Sequence, residues 1–265
     1  MGDYGGGYRM RIRFGGPLTP AIKALLIANG AVFFVEIVLR IAWPDGLRWF
    51  IDWFALTPAL AIGQFRVWQF ITHAFLHSLD FWHIAINMFM LWMFGGDVER
   101  VLGRTRFLVL YFAAALAGGA CMIPFYGDLS LGASGAVFGT MAMFARLFPH
   151  RRVLLFGVFP IKMRTLAVAI VGIEVISQVI GGDGIAHLAH LGGFAVGWFF
   201  LSFERSAAGF RRARELKRAA RADREDRETR AEVDRLLAKV GRDGLGSLTG
   251  RERAFLKRAS KRFRK

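Results

Sequence analysis

The chain has 265 residues, of which 54% are hydrophobic, and its formal net charge at pH 7 is +16. These values argue against one soluble globular domain, in which strong apolar character and high charge would have to share a single fold. The charge concentrates in residues 204–265, whose 21 Lys and Arg against 10 Asp and Glu supply +11 of the +16. Composition therefore predicts an apolar membrane domain followed by a basic, water-facing tail. The single cysteine, Cys121, excludes an internal disulfide and is interpreted as a small buried hydrophobe.

Six apolar stretches are candidate membrane spans, since a helix needs about 20 mostly apolar residues to cross the hydrocarbon. They lie near residues 21–43, 71–94, 107–124, 134–148, 165–181 and 186–203. No small-residue cleavage site follows the first span, so it is not interpreted as a removed signal peptide. The predicted fold is an all-α polytopic membrane protein. It has a flexible cytoplasmic N-terminus (1–17), a six-helix membrane domain (18–203) and a basic helical tail (204–265).

Lys and Arg residues concentrate on one side of this predicted bundle. With the N-terminus in the cytoplasm, the inner segments hold 12 basic residues and the outer segments hold 3. The inner ones are Arg9, Arg11, Arg13, Lys23, Arg100, Arg104, Arg106, Arg146, Arg151, Arg152, Lys162 and Arg164, and the outer ones are Arg40, Arg48 and Arg66. Cytoplasmic loops are enriched in Lys and Arg. An even number of spans then places both termini in the cytoplasm.

The connection between the first two spans, Pro44 to Gln69, is long and rich in aromatic residues. Its rings and that of the preceding residue are Trp43, Trp49, Phe50, Trp53, Phe54, Phe65 and Trp68. Aromatic side chains favour the lipid–water boundary, which predicts a loop lying partly in the outer interface. A packed loop outside the membrane explains the same composition equally well.

Four polar side chains are candidates for a functional site, because polar groups at membrane depth are costly. His83 and Asn87 are four residues apart and share one face of the second predicted span. Ser134 begins the fourth span and His190 lies near the outer end of the sixth. In the predicted topology all four side chains reach one depth near the outer surface, so they are interpreted as one constellation.

Two stripes of small residues predict close contact between the fourth and sixth spans. Gly135 and Gly139 form one stripe, and Gly193 and Gly197 form the other. Such stripes let membrane helices approach closely. Because His190 shares a face with the second stripe, this contact would bring its ring against the serine hydroxyl.

Serine and histidine in this arrangement predict nucleophilic catalysis. A serine hydroxyl becomes an effective nucleophile when a nearby base takes its proton, and imidazole suits that role at neutral pH. The resulting oxyanion needs donors, for which the Ser134 N–H, His83 and Asn87 are the candidates. Spans two, four and six carry no Asp or Glu in their helical cores, so the predicted machinery is a Ser134–His190 dyad.

The residues named above resemble the motifs of the rhomboid family of intramembrane serine proteases, over roughly residues 18–203. The matching segments are Trp68-Gln69, Thr72 to His77, His83 to Asn87, Gly95 to Gly103 with Glu99, Gly132-Ala133-Ser134-Gly135, and Ala189 to Gly193 followed by Gly197. The resemblance implies Ser134 as nucleophile, His190 as general base and His83 and Asn87 as oxyanion donors. It gives Gly132, Gly135, Gly139, Gly193, Gly197 and Glu99 supporting roles.

The resemblance also implies a substrate class. Transmembrane protein substrates would be cut within the lipid bilayer near their outer ends, where helix-breaking or small residues let the chain unwind, and no cofactor is expected. Two departures are visible. Gln69 stands where some members have Arg, and His83 follows His77 by six residues where well-known members have five. The extra residue is Asp80 or a neighbour. If it precedes the helix, His83 keeps the position expected of an oxyanion donor. If it lies inside the helix, the assignment of His83 as an oxyanion donor is weakened.

The basic tail is predicted to form a helical hairpin. Apolar residues at helical spacing are followed by a Gly-rich turn (241–246), and Thr249 with Glu252 three residues later is typical of a capping box. The apolar positions of the two helices are Val233, Leu236, Leu237 and Val240, then Phe255, Leu256 and Ala259. The positive charge would attract anionic lipid, although a solvated charge run is an equally good interpretation. A nucleic-acid partner is not expected of a membrane-tethered tail.

Two other functions remain open. A rhomboid-like protein that only binds membrane clients is one, but that class typically lacks the Ser or the His. A metal or haem protein is the other, using His73 and His77 at one-turn spacing with His83, His187 and His190. We predict no metal, because no acidic or Cys partner completes a site in the sequence. Other intramembrane proteases do not fit, since there is no His-Glu-x-x-His motif and Asp183 has no partner Asp in a facing span. The compact form predicts a bacterial inner membrane.

Overall fold

A computed structural model describes residues 18–125, 128–155, 159–181 and 186–263. The predicted N-terminal segment 1–17 and Asp183 lie outside these residues. The helices are α1 Pro20–Ala42, α2 Pro44–Phe54, α3 Pro58–Gly63, α4 Gln69–Thr72, α5 Phe81–Leu102, α6 Arg104–Cys121, α7 Ser134–Leu147, α8 Met163–Ile180, α9 His187–Asp243 and α10 Gly250–Phe263. The first three begin with proline, whose fixed φ suits the first helical position.

Helices dominate the described residues, so the all-α class is confirmed apart from one short ribbon. Strands Arg152–Leu155 (β1) and Phe159–Lys162 (β2) pair antiparallel within the connection between α7 and α8, which the sequence had not indicated. Two of the described helices, α1 and α8, are long and apolar enough by length and composition to cross a membrane. The count of six spans therefore stays a prediction.

The second predicted span is wrong at both ends. Residues 71–94 do not form one helix, because α4 and a 3₁₀ turn at His73–Phe75 end before Leu76 and α5 begins only at Phe81. Asp80 starts α5 as its N-cap, with its carboxylate accepting the Trp82 N–H at 3.1 Å. Hydropathy does not detect a helix cap, so the predicted span extended across Asp80.

The sixth predicted span, 186–203, coincides with the first part of α9. The helix itself continues from His187 to Asp243, through residues that the sequence analysis assigned to the helical tail. Its exposed stretch carries Arg–carboxylate pairs at four-residue spacing, Arg224 with Glu228 and Arg227 with Asp223. Such pairs stabilise a helix that has no apolar face to bury.

The chain divides into two compact units, Met1–Leu201 and Ser202–Lys265. In the first, α5, α6 and α7 pack around large buried side chains, among which Phe94 and Phe144 place their rings 5.0 Å apart. Large apolar side chains also point outward from α1 and α8, for example Phe34, Ile41 and Val179. Apolar residues on both the inner and outer faces of a helix are typical of a membrane environment.

Glu99 lies near the end of α5 and caps the start of α1. Its buried carboxylate accepts bonds from the Thr19 hydroxyl and from the main-chain N–H groups of Ala21, at 3.0 and 3.1 Å, and Ile22, at 3.2 Å. A carboxylate at a helix N-terminus satisfies orphan donors and complements the helix dipole. The predicted supporting residue thus joins two helices 78 residues apart along the chain.

The aromatic loop between α1 and α4 packs on itself through rings and hydrogen bonds. Trp53 and Trp68 stack at 5.8 Å, and the Arg66 guanidinium lies 4.6 Å from the Trp53 ring centre. Gln69 is fully buried, its amide nitrogen donating to the Asp52 carbonyl at 2.8 Å and its oxygen accepting the Thr57 N–H at 3.2 Å. Gln69 therefore stabilises this loop.

In the second unit the predicted capping box is confirmed. The Thr249 N–H donates to Glu252 at 2.7 Å, and the Glu252 N–H donates to the Thr249 hydroxyl at 3.3 Å. These bonds, with Lys239 at 3.1 Å, lower the pKa of Glu252 to about 2. Leu236 and Ala259 are buried as their spacing predicts, whereas Leu237 is 55% exposed, so its predicted packing is wrong.

Candidate active site

Ser134 is the first residue of α7, and the segment before it is held at two points. The Gly132 N–H donates to the His73 carbonyl at 2.9 Å, and Ser130 forms a two-bond bridge with Leu56. Gly132 has φ +125°, a conformation that side chains rarely adopt. This turn delivers the serine hydroxyl at a helix N-terminus, where main-chain N–H groups lack helical partners.

His190 lies in the first turn of α9 with its ring fixed on three sides. Its Nε2 is 2.8 Å from the Ser134 Oγ, and its Nδ1 is 2.9 Å from Oε2 of Glu174 on α8. The ring stacks on Phe138 with centres 4.3 Å apart and planes 13° from parallel. Since Phe138 is one turn beyond Ser134 on α7, one helix supplies both the serine hydroxyl and the ring on which the imidazole stacks.

Glycines bring α7 and α9 into backbone contact. A Cβ at Gly193 would overlap the Gly135 carbonyl oxygen, and a Cβ at Gly197 would overlap that of Gly139. The two stripes thus face one another, in the arrangement that their spacing predicts. The close approach of α7 and α9 lets the His190 ring reach the serine hydroxyl.

His83 lies near the Ser134 hydroxyl. Its Nδ1 accepts the Ser78 main-chain N–H at 3.3 Å and lies 2.7 Å from the Ser78 hydroxyl, contacts that favour protonation of a neutral ring on Nε2. A Cβ at Gly132 would lie 2.8 Å from the His83 Nε2 and 3.9 Å from the Ser134 Oγ. His83 Nε2 and the Ser134 hydroxyl therefore border the same space at Gly132, and the oxyanion role of His83 stays a prediction.

Asp80, the candidate for the extra residue between His77 and His83, lies outside the helix as the N-cap of α5. His83 and Asn87 keep their one-turn spacing within that helix. The buried Asn87 amide nitrogen donates to the His83 carbonyl at 2.8 Å. A primary amide has a second N–H to offer, and the oxyanion role of Asn87 stays a prediction.

His73 and His77 do not share a helix, as the metal alternative required of them. His73, in the 3₁₀ turn, bonds through Nδ1 to the Gln69 carbonyl at 2.8 Å. His77 lies after that turn, and its main-chain N–H donates to the buried Glu36 carboxylate at 3.2 Å, which anchors the loop to α1. The two rings therefore do not occupy one helix face as i and i+4 residues.

Glu174 is the residue that the sequence analysis missed. The expectation that no carboxylate accompanies the histidines is wrong, because Glu174 contacts both His190 and His187. The dyad was predicted from residues of the second, fourth and sixth spans, whereas Glu174 lies on the fifth. A lone carboxylate in an apolar helix was the available signal. In the described ranges, Glu174, His187 and His190 also place potential metal-ligand atoms within 4.8 Å of one another.

Comparison with known families places this site in context. Residues 64–206, which include every residue of the site, match the model of the rhomboid domain. The chain belongs to the rhomboid family. Residues 221–262 match a second model, described as a family of unknown function (DUF6576). The rhomboid family is one of membrane-integral proteins, which accounts for the outward-facing apolar side chains of α1 and α8.

Curated relatives come from bacteria and mitochondria. Mitochondrial rhomboid protein 1 of Saccharomyces cerevisiae is 35% identical over 161 residues, 57% of this chain and 46% of the relative. Rhomboid protease GlpG of Serratia proteamaculans is 32% identical over 126 residues, 48% and 41% of the two chains. Rhomboid protease GluP of Bacillus subtilis is 33% identical over 141 residues, which are 52% of this chain and 26% of the relative. The chain thus spans less than half the length of these relatives, and they single out neither a bacterial nor a mitochondrial membrane.

Proposed function

We propose that this rhomboid is an intramembrane serine endopeptidase that cleaves transmembrane protein substrates, with Ser134 as nucleophile and His190 as general base. The observation that carries the proposal is the 2.8 Å contact between His190 Nε2 and Ser134 Oγ. It joins two helices across 56 residues of sequence and has the geometry that proton transfer requires. The names of the GlpG and GluP relatives, both rhomboid proteases, support the same activity.

The reaction follows from these positions. His190 Nε2 takes the Ser134 proton as Oγ attacks the scissile carbonyl, and the imidazolium then protonates the leaving amine. The Ser134 N–H and the His83 Nε2–H stabilise the oxyanion, with Asn87 as a third donor. Water then attacks the acyl-enzyme with His190 again as base, and the ester bond to Ser134 breaks as the imidazolium returns its proton to Oγ. Because a helix shields its own carbonyls, the substrate must unwind locally, which favours Gly, Pro and small residues near the cut.

The proposed setting is a six-span bundle with both termini in the cytoplasm, which the distribution of Lys and Arg supports. The catalytic residues then lie toward the outer side of a bacterial inner membrane, and substrates are cut near their outer ends. A second function, client binding without cleavage, is the alternative. The hydrogen-bonded Ser134 and His190 favour cleavage, since a client-binding protein needs no contact between a base and a hydroxyl.

Covalent labelling tests the proposed activity directly. The purified protein in detergent is incubated with a fluorophosphonate probe and, separately, with a reporter that has one transmembrane segment. We expect one adduct, mapped by mass spectrometry to Ser134, and reporter fragments whose formation the probe blocks. Labelling and cleavage should both disappear in Ser134→Ala. A folded protein that binds the reporter without adduct or cleavage would establish client binding instead.

The tail is proposed to contact anionic lipid, which its surplus of 11 positive charges supports. Each Lys or Arg near such a surface contributes about 1 kcal/mol. The full-length protein is placed in nanodiscs of neutral lipid or of neutral lipid with anionic phosphatidylglycerol, and amide hydrogen exchange is followed. We expect slower exchange across α10 in the anionic discs, and loss of the difference at high salt. Equal exchange in both discs would identify a merely solvated tail.

A further inference from the structure

One carboxylate oxygen is shared by two histidines next to the proposed nucleophile. Oε2 of Glu174 is 2.7 Å from Nδ1 of His187 and 2.9 Å from Nδ1 of His190. All three side chains are nearly buried, being 11%, 7% and 12% exposed respectively. A buried carboxylate is costly unless donors satisfy it, and here two imidazole N–H groups from α9 do so.

We propose that Glu174 is a positioning residue that selects the working tautomer of His190, with His187 holding the carboxylate in place. The inference rests on the proposed protease function and adds a buried acid to its dyad. An ionised carboxylate only accepts hydrogen bonds, so the nitrogen facing it must carry the proton. His190 is thereby protonated on Nδ1, and its Nε2 keeps a free lone pair toward Ser134.

The stacking contact of His190 could not achieve this selection. Phe138 holds the plane of the imidazole, but a ring rotated by 180° about its Cβ–Cγ bond would lie in the same plane, and stacking favours neither tautomer. The groups that face the two nitrogens set both the orientation of the ring and the position of its proton. Glu174 at Nδ1 and Ser134 at Nε2 therefore determine which nitrogen acts as the base.

His187 has a separate part in the arrangement. It precedes His190 by three residues, so both rings lie on one face of α9 and reach the same carboxylate from α8. Their planes are 89° apart, which lets two N–H groups approach one oxygen from different directions. Removing His187 would leave Glu174 with one of its two imidazole donors and a less defined position.

During the reaction Glu174 would also stabilise positive charge. When His190 takes the serine proton, its imidazolium forms beside a carboxylate in a site that excludes most water. Attraction between opposite charges is stronger there than in bulk water. This contribution exists only after proton transfer, so it lowers the barrier and leaves substrate binding unchanged.

The test compares Glu174→Gln, Glu174→Asp and His187→Ala with the wild type in the reporter assay. Glutamine keeps the shape but can donate an N–H to Nδ1, which favours the wrong tautomer. We expect Glu174→Gln to lower kcat by about 10²- to 10⁴-fold with little change in KM. Glu174→Asp should recover part of the loss, and His187→Ala should lower kcat by about tenfold. Val175→Ala, an exposed neighbour on α8, is the matched control and should behave as wild type.

A spectroscopic readout separates positioning from a structural role. The ¹⁵N signals of His190 should show the Nδ1-protonated tautomer in the wild type and a mixture in Glu174→Gln, with unchanged thermal unfolding. An unchanged kcat in folded Glu174→Gln would overturn the inference while leaving the protease assignment intact. So would loss of wild-type activity on adding a chelator, because the cluster would then hold a metal ion. An inactive wild type that reacts with no probe would instead overturn the proposed function.

Discussion

His190→Ala should lower the kcat for cleavage of a transmembrane reporter by about 10⁴-fold or more. The substitution removes the nitrogen that lies 2.8 Å from the Ser134 Oγ. In the proposed mechanism His190 is the base, and Nδ1 of His187 bonds to Glu174 instead. Initial rates at saturating reporter measure kcat, and the rate of fluorophosphonate labelling measures the reactivity of Ser134 without substrate binding.

The double variant sharpens this prediction. Ser134→Ala with His190→Ala should be no less active than either single variant, because the two side chains act as one unit. Phe138→Leu serves as a milder comparison, since it removes the stacked ring but leaves both reacting groups. If His190→Ala labels and cleaves at the wild-type rate while Ser134→Ala does neither, another group activates the serine and the assignment of His190 is wrong.

Gly193→Ala should lower the proposed protease activity by about 10²-fold without altering a reacting atom. The new methyl group would overlap the Gly135 carbonyl oxygen, which belongs to a helix backbone and cannot rotate away. Helices α7 and α9 must then separate, and a displacement of about 1 Å between catalytic groups can cost about 10²-fold in rate. Overpacking of this kind also destabilises a fold by about 1–3 kcal/mol, so we expect lower activity together with a lower thermal unfolding temperature.

Gly172→Ala is the matched control for this prediction. Gly172 lies inside α8, and a Cβ there would meet no atom within 4 Å. Alanine favours a helix over glycine by about 0.5–1 kcal/mol, so this variant should unfold at the same or a higher temperature and keep its activity. Wild-type activity in Gly193→Ala would show that the close approach of α7 and α9 does not position the catalytic pair.

Several residues of the candidate site could be predicted from local sequence patterns alone. Ser134 at the start of one apolar segment, His190 at the start of another, and matching glycine stripes on both are local patterns. Each follows from helical periodicity and from the cost of polar groups in lipid. The capping box of Thr249 and Glu252 was also predictable from the sequence, since its two residues are three positions apart. Hydropathy also located α1, α6, α7 and α8 to within about three residues.

Contacts between residues far apart along the chain became evident only from the packing of the helices. Glu174 reaches His190, Glu99 caps α1 and Glu36 anchors the loop at His77, and no spacing rule connects these pairs. The His83 tautomer likewise depends on one main-chain N–H of Ser78, placed by a loop whose start and end hydropathy did not detect. The physical reason is that periodicity specifies the face on which a side chain lies, whereas the partner of a buried charge is specified only when helices pack.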